Sequence, residues 1–229
     1  MTLIQKQEDD EVETKQSVTA VIVVAHPDDE TLWAGGTVLM HPDWQWMVVS
    51  LTRGDDPDRA PRFLRAVQKL GATASIGNLN DEPGQPPLDV TEVQQVLLSI
   101  LPRQNFDLIL THSPCGEYTR HRRHEETSAA VTALWEKDII RTDEVWLFAY
   151  GDSGRGGRDD LPGVIKTAHR LISLPETIWQ QKRRIITEIY GFSSESYEAH
   201  ITLRQEAFWR FRSAGEFHKW LVNIERREQ

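Results

Sequence analysis

The stretch VIVVAHPDDETLWAGG, residues 21–36, constrains the fold more than any other part of the chain. Val21 to Ala25 form an unbroken apolar, largely β-branched run, the pattern of a strand buried on both faces. Such strands belong to parallel sheets, and parallel strands need crossover connections to return the chain. The following TLWAGGTVLM supplies one, because its glycines and small residues let a helix pack closely on a sheet. Between strand and helix stand His26, Asp28, Asp29 and Glu30, one imidazole and three carboxylates at the mouth of a core strand. Charge in that position needs a reason.

The rest of the chain keeps the alternation. WQWMVVSLT, ATASIGNL, FDLILTHS and DEVWLFAYG read as further strands. APRFLRAVQKLGA, VTEVQQVLLSILP and HEETSAAVTALWEK read as helices between them. The first of these helices places Phe63, Leu64, Val67 and Leu70 on one face and stops at Gly71, a C-cap. The order predicts an α/β fold, a mostly parallel sheet with helices on both faces. GDSGRGGRDDLPG is the clearest break. Beyond it KTAHRLISL reads as a late strand and PETIWQQKRRIITEIYGF as a helix with Pro175 in its first turn. We expect one domain over residues 18–229 with a C-terminal elaboration, preceded by a disordered acidic tail at residues 1–17. The KRR run at Lys182 to Arg184 is expected on a solvated helix face. EAFWRFRSAGEFHKWLVNI is expected to cover the core or form a subunit contact.

The formal net charge of −9 argues against nucleic acid as an electrostatically captured partner. No apolar run approaches the ~20 residues of a membrane span, and the polar N-terminus has no signal-peptide core. The single cysteine, Cys115, cannot form an intrachain disulfide. A cytoplasmic protein acting on a small molecule is the expectation, with its oligomeric state open.

In open α/β sheets, ligands bind beyond the carboxyl ends of the strands. His26 and Asp29, three residues apart across a strand-to-helix turn, converge there. His121 and His124, with the same spacing, follow the fourth strand as a new helix begins. Two imidazoles and one carboxylate suit Zn²⁺, which takes three protein ligands in catalytic sites and keeps one position open. They also describe the facial triad of a non-haem Fe²⁺ oxygenase. Asp28, between the first two ligands, is placed to act as a general base, and His121 to donate a proton or stabilise an oxyanion. His112, ending its strand near the rim, is expected to make a supporting hydrogen bond rather than to ligate.

The HPDDE run after an apolar strand, the following GGT, LTRGDDPDRAPRFLRAVQKLGA, LILTHSP, the late His-x-x-His and the C-terminal YGF together resemble the PIG-L/LmbE family of metal-dependent N-deacetylases. The resemblance covers about residues 18–210. It implies a Rossmann-like sheet and hydrolysis of an N-acyl amino sugar of the N-acetylglucosamine type. It places the metal ligands on His26, Asp29 and His124, the general base on Asp28 and the assisting histidine on His121. Substrate contacts are expected from Arg59, Tyr118 and Trp33. Three positions depart from the family pattern. Arg123 stands where an aspartate commonly precedes the last metal histidine. Tyr118 lies three residues before His121 rather than two, and Arg62 replaces a glutamate. Arg123 motivates the alternative of a pocket that binds metal without catalysis.

Overall fold

The structure, a computed structural model, describes residues 17–82, 84–117, 121–151 and 161–225. The expected acidic tail, but for Ser17, and most of the GDSGRGGRDDLPG segment lie outside the described residues.

Seven strands form one sheet in the order β3-β2-β1-β4-β5-β9-β8. β1 (Thr19–Val24), β2 (Gln45–Thr52), β3 (Thr73–Leu79), β4 (Asn105–Thr111) and β5 (Arg141–Phe148) run parallel. Helices α1 (Asp29–Met40), α2 (Arg59–Leu70), α3 (Val90–Ile100) and α4 (Arg122–Glu136) make the crossovers. The chain runs outward from β1 to β3, then returns to add β4 on the other side of β1. Val23 accordingly pairs with Val49 on one side and Thr111 on the other. The carboxyl ends of β1 and β4 therefore flank the crevice where the strand order reverses. That crevice is where such sheets bind ligands.

Alternate residues of β1 feed opposite faces of the sheet. Ile22 and Val24 join Trp33, Phe63, Val67 and Phe148 in one core, and Val21 and Val23 join Leu97, Ile109 and Leu134 in the other. α2 ends on Gly71 at φ 80°, the left-handed C-cap expected of it. Leu64 departs from the predicted apolar face and is 48% exposed, because that face is narrower than the spacing implied.

The C-terminal third differs most from the sequence reading. A short antiparallel pair, β6 (Tyr150–Gly151) and β7 (Gly163–Val164), precedes β8 (Arg170–Ser173), the late strand expected from KTAHRLISL. α5 (Glu176–Arg184) continues into a π-turn at Ile185–Ile189, and α6 (Tyr197–His200) is a single turn. QEAFWRF, Gln205–Phe211, is a further strand, β9, antiparallel to both β5 and β8. The elaboration therefore extends the main sheet, and α7 (Ala214–Glu225) packs Phe217 behind it.

Lys182, predicted to be solvated, is 0% exposed and donates to Glu206 Oε1 at 2.7 Å. Glu206 also accepts the Gly36 and Thr37 amide N–H groups, each at 2.7 Å, and the Thr37 hydroxyl at 2.6 Å. A buried carboxylate needs such donors. Gly36 allows the approach, since a Cβ there would fall 2.4 Å from Leu174 Cδ1. These contacts fasten α1, α5 and β9 together behind the crevice. No helix among the described residues is long and apolar enough to cross a membrane.

Candidate metal centre

The turn leaving β1 is strained. Asp28 has φ 114° and ψ −30°, a conformation L residues seldom adopt, at a cost of about 1–3 kcal/mol. Glu30 Oε2 accepts the Asp28 amide N–H at 3.0 Å, and the Tyr190 hydroxyl donates to Glu30 Oε1 at 2.7 Å. This support separates the three adjacent carboxylates. Glu30 turns inward, fully buried, Asp29 enters the first turn of α1, and Asp28 keeps some exposure at the rim.

Three candidate ligand atoms meet beside this turn. His26 Nδ1 lies 3.1 Å from Asp29 Oδ2 and 3.2 Å from His124 Nε2, and His124 Nε2 lies 3.3 Å from Asp29 Oδ2. Tetrahedral Zn²⁺ with bonds of about 2.0–2.1 Å would separate its ligands by about 3.3 Å. The triangle thus has the size of one face of such a coordination shell, and the donor set fits the metal. His121 closes the other side: its ring lies 4.7 Å from that of His26 and 4.6 Å from that of His124. His26, His121 and His124 also form a grouping with metal-ligand spacing.

Each of the three converging residues is fixed from behind. Asp81, just beyond β3, lies 3.2 Å from His26 Nε2, so a proton held there leaves Nδ1 free for the triangle. Glu117 faces Nδ1 of His124 in the same way and lies 3.0 Å from Nδ1 of His112. His112 accepts the Ala25 amide N–H on Nε2 at 3.0 Å, which commits that nitrogen to the end of β1. His112 thus makes a hydrogen bond of the kind expected, and with Asp29 and His124 it also forms a grouping with metal-ligand spacing. The Trp33 indole N–H donates to Asp29 Oδ1 at 3.1 Å. Burial would raise the Asp81 and Glu117 carboxyls, but the neighbouring histidines outweigh it, aided at Asp81 by Arg53, and hold both at about 2. Asp29 is held well below the carboxylate range against its burial, mainly by His124 and His112. The carboxylates in turn raise His26, His112 and His124 against their burial, so the cluster balances opposite charges.

The sequence reading missed Asp81 and Glu117. Asp81 sits in an ordinary polar turn, 55 residues from its histidine. Glu117 had a local clue, lying seven residues before His124 in the same rim segment.

Asp28, the expected base, points its carboxylate to Arg59, with Nη1 and Oδ2 3.4 Å apart. Burial and the adjacent Asp29 raise its pKa well above the carboxylate range, while Arg59 partly opposes them. Arg59 also lies over the Phe192 ring at 4.7 Å. His121 is pushed down to about 4 by burial and by its neighbours His124 and His26. Its Nδ1 is buried without a hydrogen-bond partner among the described residues. A polar cavity of about 360 Å³ opens beside Asp81, lined by Arg53, Asp55, Asn78 and Asn80 among others.

One of the expected substrate contacts, Trp33, falls elsewhere. Trp33 is 1% exposed and packs on Tyr150 with ring centroids 4.8 Å apart, so it lines no pocket wall and its place is behind Asp29. Its position one turn into α1 faces the sheet, which the small-residue pattern alone did not distinguish from the rim. Tyr118 lies outside the described residues. Arg123, which stands where an aspartate is common, donates to the Asn80 carbonyl at 2.9 Å and pairs with Glu126. Arg62 donates to the Tyr190 carbonyl at 2.6 Å and to Asp58 at 2.8 Å.

A stretch of 131 residues is 22% identical to Uncharacterized protein L374 of Acanthamoeba polyphaga mimivirus, covering 50% of this chain and 57% of that protein. The chain thus matches less than two thirds of this relative's length. N,N′-diacetylchitobiose deacetylase from Pyrococcus horikoshii is similar with a TM-score of 0.62 at 17% identity, over 86% of this chain and 85% of that one. GalB, the 4-carboxy-2-hydroxymuconate hydratase of Pseudomonas putida, is similar with a TM-score of 0.57 at 15% identity, over 84% of this chain and 95% of that one. Likeness at these identities shows the shared fold, and one fold here carries two chemistries. Residues 21–135 match the family PIG-L: GlcNAc-PI de-N-acetylase, a span of just over half the 229 residues that contains His26, Asp28, Asp29, His112, Glu117, His121 and His124. The chain belongs to the PIG-L family.

Proposed function

We propose that the protein is a metal-dependent N-deacetylase that removes an acetyl group from the nitrogen of an amino-sugar-like substrate. The observation that carries this reading is the triangle of His26 Nδ1, Asp29 Oδ2 and His124 Nε2, with edges of 3.1 to 3.3 Å, beside a carboxylate that is not part of it. Zn²⁺ is the metal the donor set suits best; held there, it would supply Lewis acidity and lower the pKa of a water from ~15.7 to about 7.

The remaining steps belong to the chain. Asp28 takes the proton of the attacking water, a task for which a carboxyl raised by its burial and by Asp29 is better matched than an ordinary one. Arg59 orients that carboxylate and screens it from Asp29 and Glu30. His121, neutral at physiological pH by the same burial that pushes it to about 4, offers an N–H hydrogen bond to the developing oxyanion, and Asp28 passes the proton it took from the water to the departing nitrogen as the C–N bond breaks. The family description and the deacetylase of similar fold support amide hydrolysis; the hydratase of similar fold does not have its chemistry carried over, because Asp28 beside the triangle suits activation of water against an acyl carbon.

The test is metal analysis of protein purified without chelators or a metal-binding tag, followed by acetate release over a panel of N-acetyl amino sugars. About one zinc per chain with catalytic acetate release supports the reading. Zinc uptake without turnover on any member favours the non-catalytic pocket, and iron with oxygen-dependent turnover favours the oxygenase. Failure to take up any divalent metal overturns the assignment of His26, Asp29 and His124.

A further inference from the structure

Arg123 stands where the family pattern places an aspartate, yet it is 5% exposed and makes two contacts. Its Nε–H donates to the Asn80 carbonyl at 2.9 Å, while Nη1 pairs with Glu126. Glu126 Oε1 in turn accepts the Leu88 amide N–H at 2.9 Å. Arg122, beside it, donates to the Gln85 carbonyl. The first turn of α4 thus grips the connection between β3 and α3 at Asn80, Gln85 and Leu88. The residue after Asn80 is Asp81, whose Oδ1 faces His26 Nε2 at 3.2 Å and whose Oδ2 accepts from Arg53 at 2.9 Å. A buried guanidinium that holds one carbonyl and one carboxylate at once fixes the peptide from which Asp81 projects.

We propose that Arg123 is a positioning residue for His26: by fixing Asn80 it holds Asp81 where it accepts the Nε2–H of His26 and leaves Nδ1 facing Asp29 and His124. The inference rests on the metal-site reading above for its consequence, but the contact itself belongs to the protein alone. The carboxylate lost at position 123 does not leave the histidines unsupported, because Glu117 faces His124 and His112 from the preceding segment. The arginine is therefore free to support the other histidine, on the opposite side of the triangle. A side chain at a helix start that acts through a backbone carbonyl and a carboxylate on a ligand is the kind of outer support that tunes metal affinity by about 10–100-fold.

The experiment compares wild type with Arg123→Met, Arg123→Lys and Arg122→Ala. Two readouts are taken: the zinc dissociation constant by competition with a chromophoric chelator, and the tautomer of the His26 ring in metal-free protein by ¹⁵N NMR at a pH of about 9, above the ordinary histidine range. Arg123→Met is expected to weaken zinc binding by about tenfold or more and to replace the single Nε2–H tautomer by a mixture. Arg123→Lys should fall between it and wild type, since one ammonium cannot serve Asn80 and Glu126 as a planar fork does. Arg122→Ala, which loses only the Gln85 contact, should stay within about twofold of wild type. Wild-type zinc affinity and an unchanged His26 tautomer in Arg123→Met would overturn the proposal. If Arg123→Met does not fold, Arg123→Lys decides by the same two readouts, and no change in either overturns it. Wild type that takes up no zinc would sink the metal reading, and the tautomer would still decide the role of Arg123.

Discussion

The Tyr190 hydroxyl donates to Glu30 Oε1 at 2.7 Å across 160 residues of chain. Glu30 is 0% exposed and its other oxygen accepts the amide N–H of Asp28, so the C-terminal elaboration braces the strained turn that aims the proposed base. Tyr190→Phe removes the donor and leaves the carboxylate short of a partner. We expect a loss of about 1–3 kcal/mol in stability, read by urea denaturation. Turnover should fall as well, without loss of bound metal. An unchanged denaturation midpoint would show that the brace has no energetic role.

Asp28 contributes no atom to the ligand triangle. Asp28→Asn should therefore keep wild-type metal content while turnover drops by about 10²–10⁴-fold. Metal analysis beside acetate release separates the two effects. Loss of metal in this variant would place Asp28 among the ligands instead.

Glu117 supports the histidines from a fully buried position, 1% exposed. Glu117→Gln should weaken zinc binding by about 10–100-fold, measured by chelator competition. Near-native affinity would mean that His124 is oriented by packing alone, through its stack on His112 at 3.9 Å between ring centroids.

Lys182 and Glu206 are both fully buried. Lys182→Met strands a carboxylate that still accepts from Gly36 and Thr37, and should cost about 3–5 kcal/mol in chemical denaturation. A loss near zero would indicate that Glu206 takes up a proton and is satisfied without the ammonium.

Far from the crevice, Glu144 pairs with Arg210, also receives the Trp146 indole N–H at 2.9 Å, and is held at about 2 chiefly by the Arg210 hydrogen bonds. Its folded-state pKa is depressed from the ordinary 4.5, so its stabilisation is present above that value and is lost as pH falls toward 2. Glu144→Gln should be less stable than wild type near neutral pH, modestly because the group is partly exposed, and the gap should close by about pH 2. A gap that stays constant with pH would show that charge contributes nothing there.

Much of the fold was legible because its signals are local. The apolar run of β1, the helix-period pattern of α2 and the Gly71 cap are properties of consecutive residues, and each lies where the pattern placed it. β9 was missed because Gln205–Phe211 mixes aromatic, charged and small residues and reads equally as helix or strand; its pairing with β5 and β8 decides the matter. Lys182 looked solvated because charge in a KRR run has no visible partner until Glu206 arrives 24 residues later.

The site divides along the same line. The sequence by itself determined the converging residues, since His26 with Asp29 and His121 with His124 are each fixed by three-residue spacing at the end of a strand. Only the tertiary structure decided that β1 and β4 are neighbours, which brings the two pairs to within 3.3 Å of one another. It alone assigned Asp81 and Glu117 to the histidines, moved Trp33 from pocket wall to buried support, and turned Arg123 toward Asn80. The physical reason is that spacing along a chain specifies direction over a turn or two, whereas a hydrogen bond to a ring nitrogen depends on where separate strands end, and that is set by packing across the whole sheet.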